Sequence, residues 1–285
     1  MLKYGDKVGI VACSNALTQK EDNQLTELAE TLMGFGLSPV FSQYIFEKNP
    51  YSVFSGSGEQ RASVLNELYK DNDIKVIFDV SGGDIANELL DYIDFDLIKK
   101  NPKPLFGYSD LSTIINAIYA KTGNPSYLYQ VKCLVWENKE NQISDFKNSL
   151  FNKKEDLYKI KLDFIPGSKI EGVVVGGNIR CFLKLAGTQY MPDLSNKILF
   201  LESYGGGVAQ MTTYLCQLKQ IGVFNRISGL LLGTFTKMEE NDENPNIIEL
   251  VLNITNDMNF PIAKTHDIGH GNTSNVLQVK MFAKG

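Results

Sequence analysis

Residues 105–118 read LFGYSDLSTIINAI and place a short apolar run, a tight turn and a helical pattern in direct succession. The apolar run is typical of a buried strand, and the later apolar spacing is typical of a helix that begins directly after Ser109. Gly107 allows a backbone turn that is tighter than other residues tolerate. The stretch therefore predicts a strand–turn–helix unit that lifts the Ser109 hydroxyl out of a sheet.

The same alternation of strands and helices fills the rest of the first half. Strand-like segments read KVGIVAC, SPVFSQYIF and IKVIFDV, and helix-like segments read LTELAETLMGFG, SGSGEQRASVLNELYKD after its initial loop, and GGDIANELLDYI. Repeated units of this size imply a parallel sheet that is covered on both faces. The fold class predicted for this half is therefore α/β.

The second half contains a similar but looser pattern. Strands are predicted in IEGVVVGG, KILFLES and ISGLLLGTF, and helices in IRCFLKLAGT, VAQMTTYLCQLKQIG and NIIELVLNITNDM. The last segment, SNVLQVKMFA, alternates like an edge strand. Residues 135–164 are polar and charged, so we expect them to connect a domain of residues 1–134 to one of residues 165–285, with some helix.

Composition and charge exclude several classes of function. The 285 residues carry a formal net charge of -5 with no block of Lys and Arg, which argues against nucleic acid and membrane partners. No apolar run has the length of a membrane span or the form of a secretory signal. The four cysteines lie far apart, which argues against a zinc cluster and a disulfide framework. We therefore expect a cytoplasmic globular protein.

Ser109 has two interpretations on its own sequence. A serine before an aspartate at a first helical turn is what an N-cap predicts. As a nucleophile, the same serine would have the first free N–H groups of the helix beside any oxyanion that forms. The pattern lacks the second glycine of G-x-S-x-G, because Leu111 stands there, so it is not the elbow of the α/β-hydrolases.

A nucleophilic serine needs a base and an acid, and few residues qualify. The chain has two histidines, His266 and His270, and the glycines that flank His270 suggest a loop with close backbone approach. Glu202 ends the apolar strand ILFLES, where a carboxylate is costly to bury without a partner. Asp267 competes with Glu202 only through its proximity in sequence.

The segment SGGD, residues 81–84, follows a predicted strand and opens a helical segment. Its adjacent glycines, Gly82 and Gly83, can expose backbone N–H groups to an anion, although a simple tight turn explains them as well. Ligands of parallel-sheet proteins gather at the carboxyl ends of strands, where Ser109 would also lie.

Four segments together resemble one family, the LD-carboxypeptidases, which are serine peptidases that include the microcin-immunity peptidases. The segments, in the family's order, read SGGDIANELLDYIDFDLIKKNPKPLFGYSDLSTIINAIYAKTG, VVVGGNIRCFLKLAGT, KILFLES and DIGHG. The resemblance implies that Ser109 is the nucleophile, Glu202 the acid and His270 the base. It also implies an oxyanion hole formed by the backbone N–H groups of Gly82 or Gly83 and of Asp110.

The resemblance further implies a fold and a substrate. The fold is an N-terminal parallel-sheet domain, Rossmann-like and amidotransferase-like, plus a C-terminal β-rich α/β domain, with the site between them. No metal or organic cofactor is needed, and a homodimer is common in such enzymes. The substrate is a small murein peptide with a C-terminal D-residue, and the enzyme would act in cytoplasmic cell-wall recycling.

Alternatives remain at this point. The first is an immunity-type hydrolase of peptidyl or aminoacyl nucleotides, for which Trp136 would be a platform for the base instead of a packing residue. The second is a catalytically silent binding protein. Many members of the family have an arginine where this chain has Ser81, so a charged contact to the substrate carboxylate is either absent or supplied by another residue.

Overall fold

Two mostly parallel β-sheets with helices packed against them form the protein. The computed structural model describes residues 2–137, 139–165, 167–271 and 274–279. The strands in chain order are β1 (Lys7–Val11), β2 (Ser38–Phe41), β3 (Ile74–Asp79), β4 (Leu105–Gly107), β5 (Ser126–Leu128), β6 (Asp163–Phe164), β7 (Val174–Asn178), β8 (Ile198–Ser203), β9 (Gly229–Phe235), β10 (Ile262–Lys264) and β11 (Leu277–Val279).

Helices connect most of these strands. They are α1 (Asp22–Gly34), α2 (Gly58–Lys70), α3 (Phe95–Lys100), α4 (Ser112–Thr122), α5 (Lys139–Leu150), α6 (Ile179–Leu183), α7 (Val208–Gln220), α8 (Thr236–Glu240) and α9 (Ile247–Ile254). Short 3-10 helices lie at Gln19–Glu21, Ala86–Tyr92, Ser109–Leu111, Val131–Leu134 and Asp156–Tyr158. None of the helices in the described ranges is long and apolar enough to cross a membrane.

The first lobe, as we call the sheet β11-β5-β4-β3-β1-β2 with α1 to α4, carries the stretch 105–118 near its centre. Its strands pair in parallel, except that β11 runs antiparallel to β5. The strands β3 and β4 are apolar and almost wholly buried because helices cover both faces of the sheet. The carboxyl end of β4 therefore opens at one edge of a rigid sheet.

The second lobe is the sheet β6-β10-β9-β8-β7 with α6 to α9. Strands β7 to β10 pair in parallel, and β6 runs antiparallel to β10. Every residue of β8 is buried, which includes Glu202 near its end. This lobe thus places a carboxylate at the carboxyl end of a central strand.

Helix α4 joins the two lobes. Its Ile115 belongs to a hydrophobic core that also contains Val175 of β7, so one core spans both lobes. The amide of Asn116 donates to the Gly176 carbonyl oxygen at 2.7 Å and accepts from the Gly176 N–H at 2.8 Å. This buried amide has both its N–H and its oxygen paired, so it fixes the position of α4 relative to β7. Any shift between them would leave buried polar atoms without a partner.

The predicted α/β fold class is confirmed, and the differences are local. Of the predicted strand SPVFSQYIF, only Ser38–Phe41 is observed as a strand, at the edge of the first sheet. The helix predicted after SGGD is a 3-10 helix, Ala86–Tyr92, whose first N–H group donates to a carboxylate elsewhere in the fold. Strand β5 was not predicted, since it is three residues long and directly follows Pro125.

The segment 135–164 contains α5 and the first residues of β6, and the domain limits drawn from the sequence stay a prediction. The final predicted strand, SNVLQVKMFA, is observed at Leu277–Val279 on the edge of the first sheet. Its residues 280–283 lie outside the described residues.

Candidate active site

Ser109 lies on a strained turn at the carboxyl end of β4. Its φ angle is +54°, a left-handed conformation that costs a non-glycine residue about 1–3 kcal/mol. The serine opens the 3-10 helix Ser109–Leu111, which leads directly into α4. The capping interpretation is wrong, because Tyr108 and Leu111 occupy the cap positions of these two helices.

Gly107 makes this turn possible through close packing. A Cβ atom added at Gly107 would lie 2.8 Å from Leu111 Cβ. Leu111 occupies the position of the second glycine in G-x-S-x-G. The chain thus builds an elbow-like turn with a single glycine and a buried leucine below it.

Glu202 and His270 form a hydrogen-bonded pair on the second-lobe side. The His270 Nδ1 atom lies 2.6 Å from Glu202 Oε2, and the Glu202 side chain is 1% exposed. With the ring proton on Nδ1, the carboxylate accepts it and the Nε2 atom is left unprotonated as a base. This is the pairing that the sequence predicted for these two residues.

The loop that carries His270 is held against β9. A Cβ atom added at Gly269 would lie 1.6 Å from Thr234 Oγ1, so only glycine allows this approach. The Thr236 hydroxyl donates to the His270 carbonyl oxygen at 3.0 Å. These two contacts therefore hold the backbone of His270 close to the carboxyl end of β9.

Two tyrosines flank the imidazole of His270. The ring centroids of Tyr108 and Tyr204 lie 4.9 Å and 5.3 Å from that of His270. Burial, and then the negative charge of Glu202, raises the pKa of the Tyr108 hydroxyl well above its usual value. Tyr108 therefore stays uncharged beside the imidazole of His270.

Ser109 and His270 both line one cleft of about 380 Å³. Among the described residues, no hydrogen bond joins the two side chains, and such contacts often tighten only when substrate binds. His266 is exposed and does not line this cleft, and the Asp267 carboxylate accepts the Lys161 N–H at 2.6 Å. The structure thus brings Ser109, Glu202 and His270 together and leaves both competitors outside.

The glycine turn after β3 lies on the first-lobe side of the same cleft. Gly83 lines it, and within the described ranges neither the Gly82 nor the Gly83 N–H donates to a protein acceptor. Ser81 is buried and faces the core, where its hydroxyl donates to Asp79 at 2.6 Å. The turn has N–H groups without a protein acceptor within the described ranges, and its role as an anion site stays a prediction, while Ser81 is structural.

The carboxylate of Asp110 ties this turn to the serine turn. Asp110 has no exposed surface, pairs with Lys184, and accepts from the Ser14 hydroxyl at 2.6 Å and the Ala86 N–H at 2.8 Å. Lys184 also donates to the Asp84 carbonyl oxygen at 2.6 Å. One buried ion pair therefore connects both turns to the second lobe.

A second buried carboxylate supports the glycine turn from below. Asp79 accepts the Cys13 and Ser81 N–H groups, each at 2.7 Å, and the Ser81 hydroxyl. Burial raises the pKa of Asp79, and these hydrogen bonds oppose that shift in part. The turn is thus held by a network that has no solvent contact.

Sequence reasoning missed Arg180 and Lys184, and it left Trp136 open. The two cations are four residues apart at α6, a spacing that puts side chains on one helical face and was available as a signal. Arg180 lines the cleft. Trp136 packs against the first-lobe core, which agrees with a packing role, and it also lines a neighbouring cavity of about 210 Å³ beside His270. Its role as a platform for a base stays a prediction.

The arrangement of Ser109, His270 and Glu202 is suited to one class of reaction. A serine on a strained strand-to-helix turn, opposite a histidine paired with a buried glutamate, can perform nucleophilic acyl transfer. In the described ranges, no three His, Cys, Asp or Glu side chains converge as metal ligands.

Comparison with known proteins identifies the family. The LD-carboxypeptidase N-terminal domain matches residues 8–129, and the LD-carboxypeptidase C-terminal domain matches residues 171–284. The chain therefore belongs to the LD-carboxypeptidase family of peptidases.

Several relatives cover most of the chain. A putative carboxypeptidase of Treponema pallidum is 31% identical over 83% of this chain and 77% of its own length. A probable murein peptide carboxypeptidase of Bacillus subtilis is 29% identical over 82% and 73%. The microcin C7 self-immunity protein MccF of Escherichia coli is 27% identical over 94% and 87%. A structure of MccF in complex with aspartyl sulfamoyl adenosine is 25% identical, with a TM-score of 0.85 over 99% of this chain and 93% of that one.

Proposed function

We propose that the protein is a serine carboxypeptidase that cleaves the amide between an L-residue and a C-terminal D-amino acid in murein peptides. The observation that carries the proposal is the 2.6 Å hydrogen bond between Glu202 and His270, in a cleft that His270 lines together with the strained Ser109. The family and the murein peptide carboxypeptidase of Bacillus subtilis support the substrate class.

The proposed reaction is acyl transfer in two steps. The Nε2 atom of His270 accepts the Ser109 proton as the serine oxygen attacks the last amide carbonyl, and the imidazolium then protonates the leaving amine. Water, deprotonated by the same imidazole, hydrolyses the acyl-enzyme. Glu202 holds the ring in the reactive tautomer and stabilises its charged form.

Backbone N–H groups of the glycine turn and of Asp110 would hold the negative charge that develops on the carbonyl oxygen. Each such donor contributes about 3 kcal/mol in comparable sites, since the site is preorganised and excludes water. Support for this role comes from Gly83, which lines the cleft next to Ser109.

The test is incubation with murein tetrapeptide followed by mass spectrometry. Loss of a single terminal alanine, at a rate that falls to the background in Ser109→Ala, is the expected result. An unchanged mass with well-folded wild-type protein would refute the murein substrate.

A second candidate is hydrolysis of an aminoacyl or peptidyl nucleotide. The observation that favours it is the cavity beside His270, which Trp136, Tyr108 and Tyr204 line with aromatic surface suited to a planar base. MccF, which resembles this chain, has been solved with aspartyl sulfamoyl adenosine. Binding of that compound to Ser109→Ala protein, lost in Trp136→Ala, would support this candidate.

A further inference from the structure

We propose that Arg180 binds the free C-terminal carboxylate of the substrate and thereby restricts cleavage to the last amide bond. The inference rests on the proposed function, because it identifies the part of the substrate that a carboxypeptidase must recognise. It assigns to this chain a specificity residue that the sequence analysis did not identify.

The position of Arg180 supports this role. Arg180 belongs to α6 of the second lobe and reaches across to the first lobe, where its Nη2 atom donates to the Gly83 carbonyl oxygen at 3.0 Å and its Nη1 atom pairs with Asp84. It lines the same cleft as Ser109 and His270. Its guanidinium therefore lies at the wall where the two lobes meet.

The charge of the cleft favours an anionic group. Among the described residues that line it, Arg180 is the permanent cation and none is acidic. The Asp84 side chain is 61% exposed, so solvent weakens its hold on the guanidinium. Hydrogen bonds to Asp84 and Gly83 use two of the five N–H donors of an arginine, which leaves three donors for a carboxylate.

The spacing between the last amide carbonyl and the terminal carboxylate of a peptide also agrees with this role. Arg180 contacts the carbonyl oxygen of Gly83, whose own N–H is a proposed oxyanion donor. In a peptide, the terminal carboxylate is one residue, about 3.8 Å between neighbouring Cα atoms, beyond the last amide carbonyl. A substrate with its carbonyl at the glycine turn would thus bring its carboxylate to Arg180, and only if that amide is the last one.

The other nearby groups cannot supply this contact. Ser81, at the position where many members of the family have arginine, is 2% exposed and donates its hydroxyl to Asp79. Lys184 is bound to the Asp110 carboxylate and the Asp84 carbonyl oxygen, and its side chain is 16% exposed. Arg180 is thus the cation that the cleft offers to a ligand.

The first experiment compares two substrates, murein tetrapeptide with a free terminal carboxylate and the same peptide as its carboxamide. We expect wild type to prefer the acid, and Arg180→Ala to lower kcat/KM for the acid by about 10- to 100-fold, mainly through KM. The carboxamide should be affected little, and Arg180→Lys should restore part of the preference. Equal losses on both substrates, or no loss, would overturn the inference.

Two variants distinguish binding of the substrate carboxylate by Arg180 from a purely structural role of Arg180 in holding the turn at Gly83 and Asp84. Asp84→Asn breaks the same ion pair but keeps the guanidinium, so it should keep the preference for the acid. If it behaves like Arg180→Ala, the arginine only positions the loop and the inference is wrong. Arg226→Ala removes an arginine that does not line the cleft and should leave both substrates unchanged.

A binding measurement keeps this test independent of turnover. Calorimetry with Ser109→Ala protein should give tighter binding of the acid than of the carboxamide, and Arg180→Ala added to this protein should abolish the difference. If wild type cleaves neither peptide but this Arg180-dependent preference is found, the proposed function fails, and of the inference only the binding of the carboxylate by Arg180 stands. Binding of the two forms with equal affinity, or no binding of either, would overturn the inference even if wild type turns over.

Discussion

The two lobes contribute different kinds of groups to the cleft. The first-lobe side presents backbone: a serine with φ of +54° and a glycine turn, both held from below by buried carboxylates. The second-lobe side presents side chains, chiefly the Glu202–His270 pair. The first side therefore depends on a buried network below the backbone, whereas on the second side the tautomer of the imidazole depends on the Glu202 hydrogen bond.

Ser109→Ala, on the first-lobe side, should have the largest effect. Loss of the nucleophile should reduce kcat by about 10⁶-fold, as in other serine enzymes, with the fold retained. The measurement is tetrapeptide turnover together with thermal unfolding.

Ser109→Gly is the matched control for the strained backbone. It should be equally inactive but more stable than Ser109→Ala by about 1 kcal/mol, because glycine adopts a φ of +54° without strain. Activity close to wild type in either variant would remove Ser109 from the mechanism.

On the opposite side of the cleft, Glu202→Gln tests the single hydrogen bond. An amide can donate to Nδ1 and so favours the wrong tautomer, which should lower kcat by about 10⁴-fold with little change in KM. Steady-state kinetics with the tetrapeptide measure this. Asp267→Asn, the competing acid near His270 in sequence, is the control and should be close to wild type; an equal loss there would contradict the assignment of Glu202.

Lys184→Met tests the buried network. It leaves the fully buried Asp110 carboxylate without its cation, so the free energy of unfolding should fall by about 3 kcal/mol. Urea unfolding measures the loss, and Asp110→Asn combined with Lys184→Met should recover part of it.

The exposed pair Lys7–Asp73 is the control for this prediction. Both side chains are largely solvated, so Lys7→Met should have little effect on the unfolding midpoint. Equal effects of the two substitutions would show that the Asp110–Lys184 pair is no more than a surface contact.

The smallest expected effect is on the pH dependence of stability. The pKa of Asp79 is raised in the folded protein, so wild type should lose stability relative to Asp79→Asn as the pH rises from Asp's ordinary pKa of 3.8 through the raised folded value. Asp73 gives the opposite sign, because Lys7 lowers its pKa and the stabilisation is lost as the pH falls. Urea unfolding above about pH 4 measures the Asp79 slope, and unfolding of wild type and Asp73→Asn below about pH 4 measures the Asp73 slope; slopes of the same sign would contradict the account.

Much of the fold could be predicted because the signals are local. The apolar runs of β3, β4 and β8 and the apolar spacing of α4 are short-range patterns, and they gave the parallel sheets. Strand ends and glycine-rich turns made Ser109, Glu202 and His270 candidates, and the resemblance to the family assigned them their roles.

The remaining features depend on contacts between distant residues. Arg180 and Asp84 are 96 residues apart, and Lys184 and Asp110 are 74 apart, so no local pattern pairs them. Tertiary structure decides these features.

The most direct test of the central claim is labelling with a fluorophosphonate probe, followed by peptide mapping. If the two lobes act as one site, wild type should carry a single adduct on Ser109, and His270→Ala should react far more slowly although its Ser109 is intact. A folded wild-type protein without the adduct, or labelling of Ser109 at an unchanged rate in His270→Ala, would contradict the account.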